Sequence, residues 1–216
     1  HAAFTQYRDP ALTMNLLEKN LGAIERVAPA IAARIRAADG ADNPYRVKTA
    51  RNGLPTLAFC DAEGSERLLH SGYDPATEAV RLVASAVESD ADLVIIGGFA
   101  LGYHIEAALE RAPDAGIVVI ERDPALLAAA FACRDFSALL AGGRLDLALT
   151  DRTEDVTLLL DGKSTRKVSL LLHRPSADSA PEFYHNLKNV LHAFLNGKEV
   201  NLATLARFER LWTRNL

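Results

Sequence analysis

The stretch Leu93-Val-Ile-Ile-Gly-Gly-Phe-Ala-Leu-Gly-Tyr-His104, followed by Ile117-Val-Val-Ile-Glu121, restricts the fold of this chain more than any other part of it. Four consecutive apolar residues are what a strand buried on both faces requires. A glycine-bearing turn then opens a helical run, and a second apolar run ends on a carboxylate. That order is the opening βαβ of a nucleotide-binding α/β domain. Glycines there let the backbone approach a ligand, and the helix N-terminus offers N–H groups to an anion. Glu121 stands 19 residues after Gly102, near the reach needed for a ribose hydroxyl. Ala100 replaces the glycine of closest approach, and its methyl group narrows the space a nucleotide would use.

The alternation continues downstream. Strands are expected at 92–97, 116–121, 144–149 and 168–172, and helices at 102–111, 124–131 and within 152–161. Two further helices, 181–196 and 200–216, close the chain. This pattern implies an α/β fold with a Rossmann-like, mainly parallel sheet, flanking helices and right-handed crossovers. Upstream, Leu17, Leu21, Ile24, Ile31 and Ile35 recur at helical spacing within 10–38, with Pro29 as the break. Tyr45–Ala50, Thr56–Cys60 and Arg67–His70 then read as a small antiparallel meander, with Asn52-Gly53 the strongest hairpin signal. A helix over Thr77–Glu88 leads into the α/β unit. The expected organisation is helices and meander over 1–76, the Rossmann-like domain over 77–200, and a helix over 201–216 leading to a downstream domain. Leu205, Phe208 and Trp212 make an apolar stripe on that last helix, which suits a fragment of a longer protein.

The bulk properties exclude several classes. Across 216 residues the formal charge is −4, and Lys and Arg are scattered, so nothing marks a nucleic-acid partner. No apolar run approaches the roughly 18–20 residues of a membrane span, so no membrane insertion is expected. Cys60 and Cys133 are far apart and belong to no C-x-x-C pair. They read as buried thiols in a reducing compartment, hence the cytoplasm. There is no Gly-x-Ser-x-Gly, and His185 and His192 are seven apart, not four. Lys163-Ser-Thr165 follows a single glycine and lacks the rest of a phosphate loop. No catalytic residue and no metal ligand is assigned.

Ligands of open parallel sheets sit outside the carboxyl ends of the strands. That edge would hold Gly97, Gly98, Phe99, Tyr103, His104, Glu121, Asp123, Asp151, His173 and Arg174. The cofactor-binding candidates are Gly97, Gly98, Gly102, Tyr103, His104, Glu121 and Asp151. Glu121 would accept from a ribose, Asp151 from an adenine amine, and His104 would donate from the first turn of its helix. Each has a structural alternative. Glu121 can be a solvated strand end, Asp123 is the better N-cap before Pro124, Asp151 suits an ordinary turn, and His104 can pack on the sheet. These residues leave open a vestigial nucleotide or S-adenosylmethionine site, as in a methyltransferase, and equally a protein-interaction scaffold.

Several pieces, taken in order, carry a resemblance. They are Asn52-Gly-Leu-Pro55, His70-Ser-Gly-Tyr-Asp-Pro75, Gly98-Phe-Ala-Leu-Gly-Tyr-His104, Val119-Ile-Glu-Arg-Asp-Pro124, and Asn201-Leu-Ala-Thr-Leu205 with Phe208 and Leu211-Trp-Thr-Arg-Asn215. Over about residues 14–216 the chain resembles the N-terminal domain of the motility-associated factor (Maf) family. That resemblance implies a part in bacterial flagellin glycosylation, the transfer of nonulosonic acid sugars from a CMP-activated donor to Ser or Thr. It also implies that transfer resides in a downstream catalytic domain of the same chain. The segment here would then be an accessory domain, with flagellin a further partner and no transfer activity alone.

Overall fold

The computed structural model describes residues 10–40, 42–163 and 166–196. In chain order the first elements are α1 (Pro10–Glu25), α2 (Pro29–Ala37), β1 (Tyr45–Thr49), β2 (Pro55–Cys60), β3 (Glu66–Leu68) and α3 (Pro75–Ala86). Next come β4 (Leu93–Gly97), α4 (Tyr103–Arg111), β5 (Gly116–Glu121), α5 (Pro124–Cys133) and α6 (Ser137–Ala141). The last are β6 (Leu145–Leu149), α7 (Glu154–Leu160), β7 (Val168–Leu172), α8 (Arg174–Ser179) and α9 (Pro181–Asn196). These residues form two compact units. One comprises the residues up to Ala79 with Ala100–Tyr103 and Asp123–Leu145; the other comprises Val80–Phe99, His104–Arg122 and the residues from Asp146 onward.

In the first unit, β1, β2 and β3 form an antiparallel sheet in that order, with Val47 opposite Leu57 and Phe59 opposite Arg67. Residues 50–54 connect the first pair: Gly53 adopts a φ of +86° and donates its N–H to Ala50 O at 2.9 Å. Glycine reaches that conformation without the penalty of a Cβ. α1 packs on α2, α5 and α6. Asn20, fully buried on α1, donates Nδ2 to Phe131 O at 2.9 Å and Arg134 O at 2.7 Å, while its Oδ1 accepts from Phe136 N at 2.7 Å. One side chain thereby satisfies the loose backbone groups where α5 ends. Asp123 caps α5 as expected, accepting from Ala125 N at 2.9 Å with Pro124 in the first turn.

The second unit is built on a four-stranded parallel sheet of order β6-β5-β4-β7. β4 runs parallel to both neighbours, with Ile95 opposite Val118 on one side and Leu170 on the other. On one face Leu93, Ile95, Val118, Ile120, Val168 and Leu170 join Val156 and Leu160 of α7 and Tyr184, Leu187, Leu191 and Leu195 of α9. The alternate residues Val94, Ile96, Ile117 and Val119 are equally inaccessible. Both faces are therefore covered, and that is why the strands read as continuous apolar runs. Strand order reverses between β4 and β7, which makes their carboxyl ends the topological switch point of the sheet.

The α/β class, the four parallel strands and the meander agree with the sequence reading. Three details differ. The third meander strand is Glu66–Leu68, not Arg67–His70, because the His70 carbonyl instead accepts from Thr56 Oγ1 at 3.1 Å. The short helices α6 and α8 were not expected. Cys60 is only half-buried, with Sγ 3.7 Å from Glu66 Oε1, whereas Cys133 is buried. The closing helix expected at 200–216, with Trp212, lies outside the described residues. Among the described residues no helix is long and apolar enough to cross a membrane.

Candidate functional site

The glycine turn begins where β4 ends, at the switch point. Gly97 is the last residue of the strand, and a Cβ there would meet Leu172 Cδ1 at 2.9 Å and Tyr184 Cε1 at 3.4 Å. Gly98 has a φ of +95°, and a Cβ on it would lie 2.6 Å from Ser176 Cβ, 2.7 Å from Ser176 Oγ and 3.2 Å from His173 Cβ. Ser176 belongs to α8, which starts directly beyond β7. The close approach that glycine permits is thus made by the protein's own helix.

The neighbouring side chains fasten this arrangement. Glu121, 1% exposed, accepts from Phe99 N through Oε2 at 2.9 Å and from Arg122 N through Oε1 at 2.8 Å. The carboxylate reaches the glycine turn, as the spacing suggested, and both its oxygens are held by backbone N–H groups. Gly98 N itself donates to Ile120 O at 2.8 Å. His104 donates from Nε2 to Gly98 O at 2.9 Å, so that nitrogen carries the proton. Its ring stacks on His173 at 4.8 Å and an interplanar angle of 5°, and His173 Nδ1 is 2.8 Å from Ser176 Oγ. Phe99, Gly98, His104, Glu121, His173 and Ser176 therefore form one internally bonded cluster.

The rest of the turn, residues 100–103, belongs to the first unit. Ala100 is buried at a φ of +44°, a left-handed conformation rare outside glycine. Leu101 N donates to His70 Nε2 at 2.9 Å, and this bond requires a neutral imidazole with its proton on Nδ1. Gly102, at a φ of +72°, leaves room for Phe136, whose Cε1 would be 2.6 Å from a Cβ. Tyr103 donates its hydroxyl to Pro55 O at 2.8 Å and meets His70 edge-on at 5.3 Å. The guanidinium of the buried Arg134 lies 4.1 Å from the Tyr103 ring centroid, and Arg134 also donates to Leu101 O. The Ser71-Gly-Tyr-Asp-Pro75 segment has a local role as well. Asp74 accepts from Thr77 N at 3.0 Å and Thr77 Oγ1 at 2.7 Å, capping α3 ahead of Pro75.

Asp151 stands apart from this cluster. It is exposed in the loop after β6, on a cavity of about 530 Å³ that none of the glycines and no atom of Glu121 lines. Thr150 shapes that loop: its N donates to Glu121 O at 2.9 Å, and its hydroxyl accepts from Arg152 N at 3.0 Å and donates to Asp155 Oδ2 at 3.0 Å.

A phosphate or a methionine carboxylate at the turn would need backbone N–H groups to spare and an open face over glycine. The N–H groups of Gly98, Phe99 and Leu101 are each bonded within the protein, and Ser176 covers Gly98. At Gly98 and Phe99 this arrangement leaves neither a spare N–H nor room for a nucleotide or S-adenosylmethionine. His70, Arg134 and Ser176 were not among the candidate site residues of the sequence reading. The histidine lay inside a strand-like run, the arginine in a helical connection, and the serine in a segment that looked like loop.

No protein-family model matches the chain, and no curated protein matches it. Among solved structures it is similar to that of a MAf glycosyltransferase from Magnetospirillum magneticum AMB-1, with a TM-score of 0.53 at 16% sequence identity. The match covers 82% of this chain and 35% of that one, so this chain spans about a third of the length of that protein. The Rossmann-like sheet, its flanking helices and the small antiparallel sheet thus make up a fold shared with part of a Maf glycosyltransferase.

Proposed function

We propose that this chain is the N-terminal accessory domain of a Maf-type flagellin glycosyltransferase and transfers no sugar by itself. The observation that carries the reading is the closure over Gly98. The switch point of the sheet, where an open α/β domain would take its ligand, is filled by Ser176 and His173. The fold likeness over 82% of the chain, to 35% of a glycosyltransferase, and the ordered sequence pieces quoted above support the same reading. Its partners are then a downstream catalytic domain of the same chain and the flagellin acceptor, in the cytoplasm. The test is sugar transfer from a CMP-nonulosonate to flagellin, by the 216-residue chain and by the natural protein containing it. Transfer only by the longer protein is the expected outcome, and transfer by the shorter chain overturns the proposal. Calorimetry with S-adenosylmethionine, NAD and CMP provides the second arm: saturable binding that Ser176→Trp abolishes would show the turn to be an open cofactor site.

A further inference from the structure

The cavity beside Asp151 has a chemistry of its own. It lies at the carboxyl ends of β5 and β6, against the start of α9, and its volume of about 530 Å³ is in the range of small-molecule sites. Its wall is rich in acceptors, with the carboxylates of Asp151, Glu154 and Glu182. Donors come from the guanidinium groups of Arg122 and Arg152 and from the Asn186 amide. Arg152 Nε is 4.0 Å from Asp155 Oδ1, while the side chains of Arg122, Asp151, Glu182 and Asn186 form no hydrogen bond or ion pair with other described residues. Exposed groups can satisfy themselves with water. Thr153 also lines the cavity: the residue is 7% exposed, and its hydroxyl, which neither caps α7 nor bonds another described residue, is not shut off from solvent.

We propose that this cavity binds a neutral, hydroxyl-rich molecule of monosaccharide size. Two cations against three carboxylates leave no surplus positive charge, which disfavours nucleotides and other phosphate-bearing ligands. Carboxylates only accept and guanidinium groups only donate, so a ligand that uses both must carry groups doing both, and hydroxyls do. The Phe183 ring supplies an apolar surface for the C–H face of a sugar ring, with Arg122 held 6.0 Å from its centroid. This site is independent of the accessory-domain reading, since it requires neither a downstream domain nor flagellin.

The test is titration of the isotope-labelled 216-residue chain with N-acetylglucosamine, followed through backbone amide resonances. Glucuronate, glucosamine and inorganic phosphate are run in parallel. Saturable shifts confined to residues 151–154 and 182–186, with a Kd on the order of 1–10 mM, are expected for the neutral sugar. Asp151→Ala and Thr153→Val should each weaken binding about fivefold or more, about 1 kcal/mol, with Thr153→Ser retaining it. Asp114→Ala, at an exposed carboxylate outside the cavity, should leave it unchanged. Amide spectra of the variants report folding separately. No saturable shift with N-acetylglucosamine overturns the proposal, as does binding of phosphate or of a charged sugar alone.

Discussion

A Cβ at Gly98 would lie 2.6 Å from that of Ser176, on a backbone whose φ of +95° already disfavours an L side chain. Gly98→Ala therefore combines a conformational cost of about 1–2 kcal/mol with an overpacking cost of about 1–3 kcal/mol. Denaturant unfolding should register a loss on the order of 3 kcal/mol. Ser176→Gly in the same background should recover part of it; strictly additive losses would mean the two sites do not collide. The two thiols offer a second residue-level check. Burial pushes the Cys133 thiol up to about 12 against the opposing charge of Arg134, so almost none of it is thiolate near neutral pH. Iodoacetamide at about pH 8 should label half-buried Cys60 and spare Cys133 in the folded protein. Equal labelling would show that the α5 terminus opens readily.

At the scale of elements, the end of α5 depends on a side chain from α1. Asn20→Ala removes two donors and an acceptor from a fully buried position, and with them the bonds to Phe131 O, Arg134 O and Phe136 N. Each of the three hydrogen bonds lost is worth about 1 kcal/mol, so a total near 3 kcal/mol is expected, with faster amide exchange at Phe136. A loss under about 0.5 kcal/mol would refute this role. Element boundaries were legible wherever one physical signal dominated. The run at 92–97 is buried on both faces and became Leu93–Gly97; Asp123 and Pro124 set the start of α5; the period of 181–196 matched α9. Helix α8 was not legible, because six residues containing Pro175 and two serines carry no periodicity. Nor was the closure of the site. A glycine that admits a ligand and a glycine that admits Ser176 are the same letter, and spacing placed Glu121 at the turn without showing which N–H groups its oxygens hold.

For the molecule as a whole, acid sensitivity can be assigned a source. Burial alone would raise the Asp135 carboxyl, but Lys19 at 2.6 Å and the Ser137 N–H and hydroxyl outweigh it and hold Asp135 below its ordinary range. A depressed folded value means stability present above the unfolded value, near pH 4, and lost as pH falls through the folded one. The Asp135→Asn variant should therefore lose less stability than the parent between about pH 5 and pH 2. Parallel acid limbs would rule the pair out as a contributor.

The two units also interleave along the chain, which changes hands after Ala79, Phe99, Tyr103, Arg122 and Leu145. During synthesis this means that the first unit is not complete when its first 79 residues emerge, because α5 and α6 are still to be made. At about 5–20 residues per second, the wait lasts several seconds, during which α1 and the meander lack the helices they pack on. Ribosome-bound chains stalled at residue 100 should yield to protease within α1, and chains stalled well beyond residue 145 should resist. Equal resistance at both lengths would mean that the early segment matures without its later partners. For the cell, the order of manufacture leaves the earliest-made part of this protein unprotected until its later partners are built.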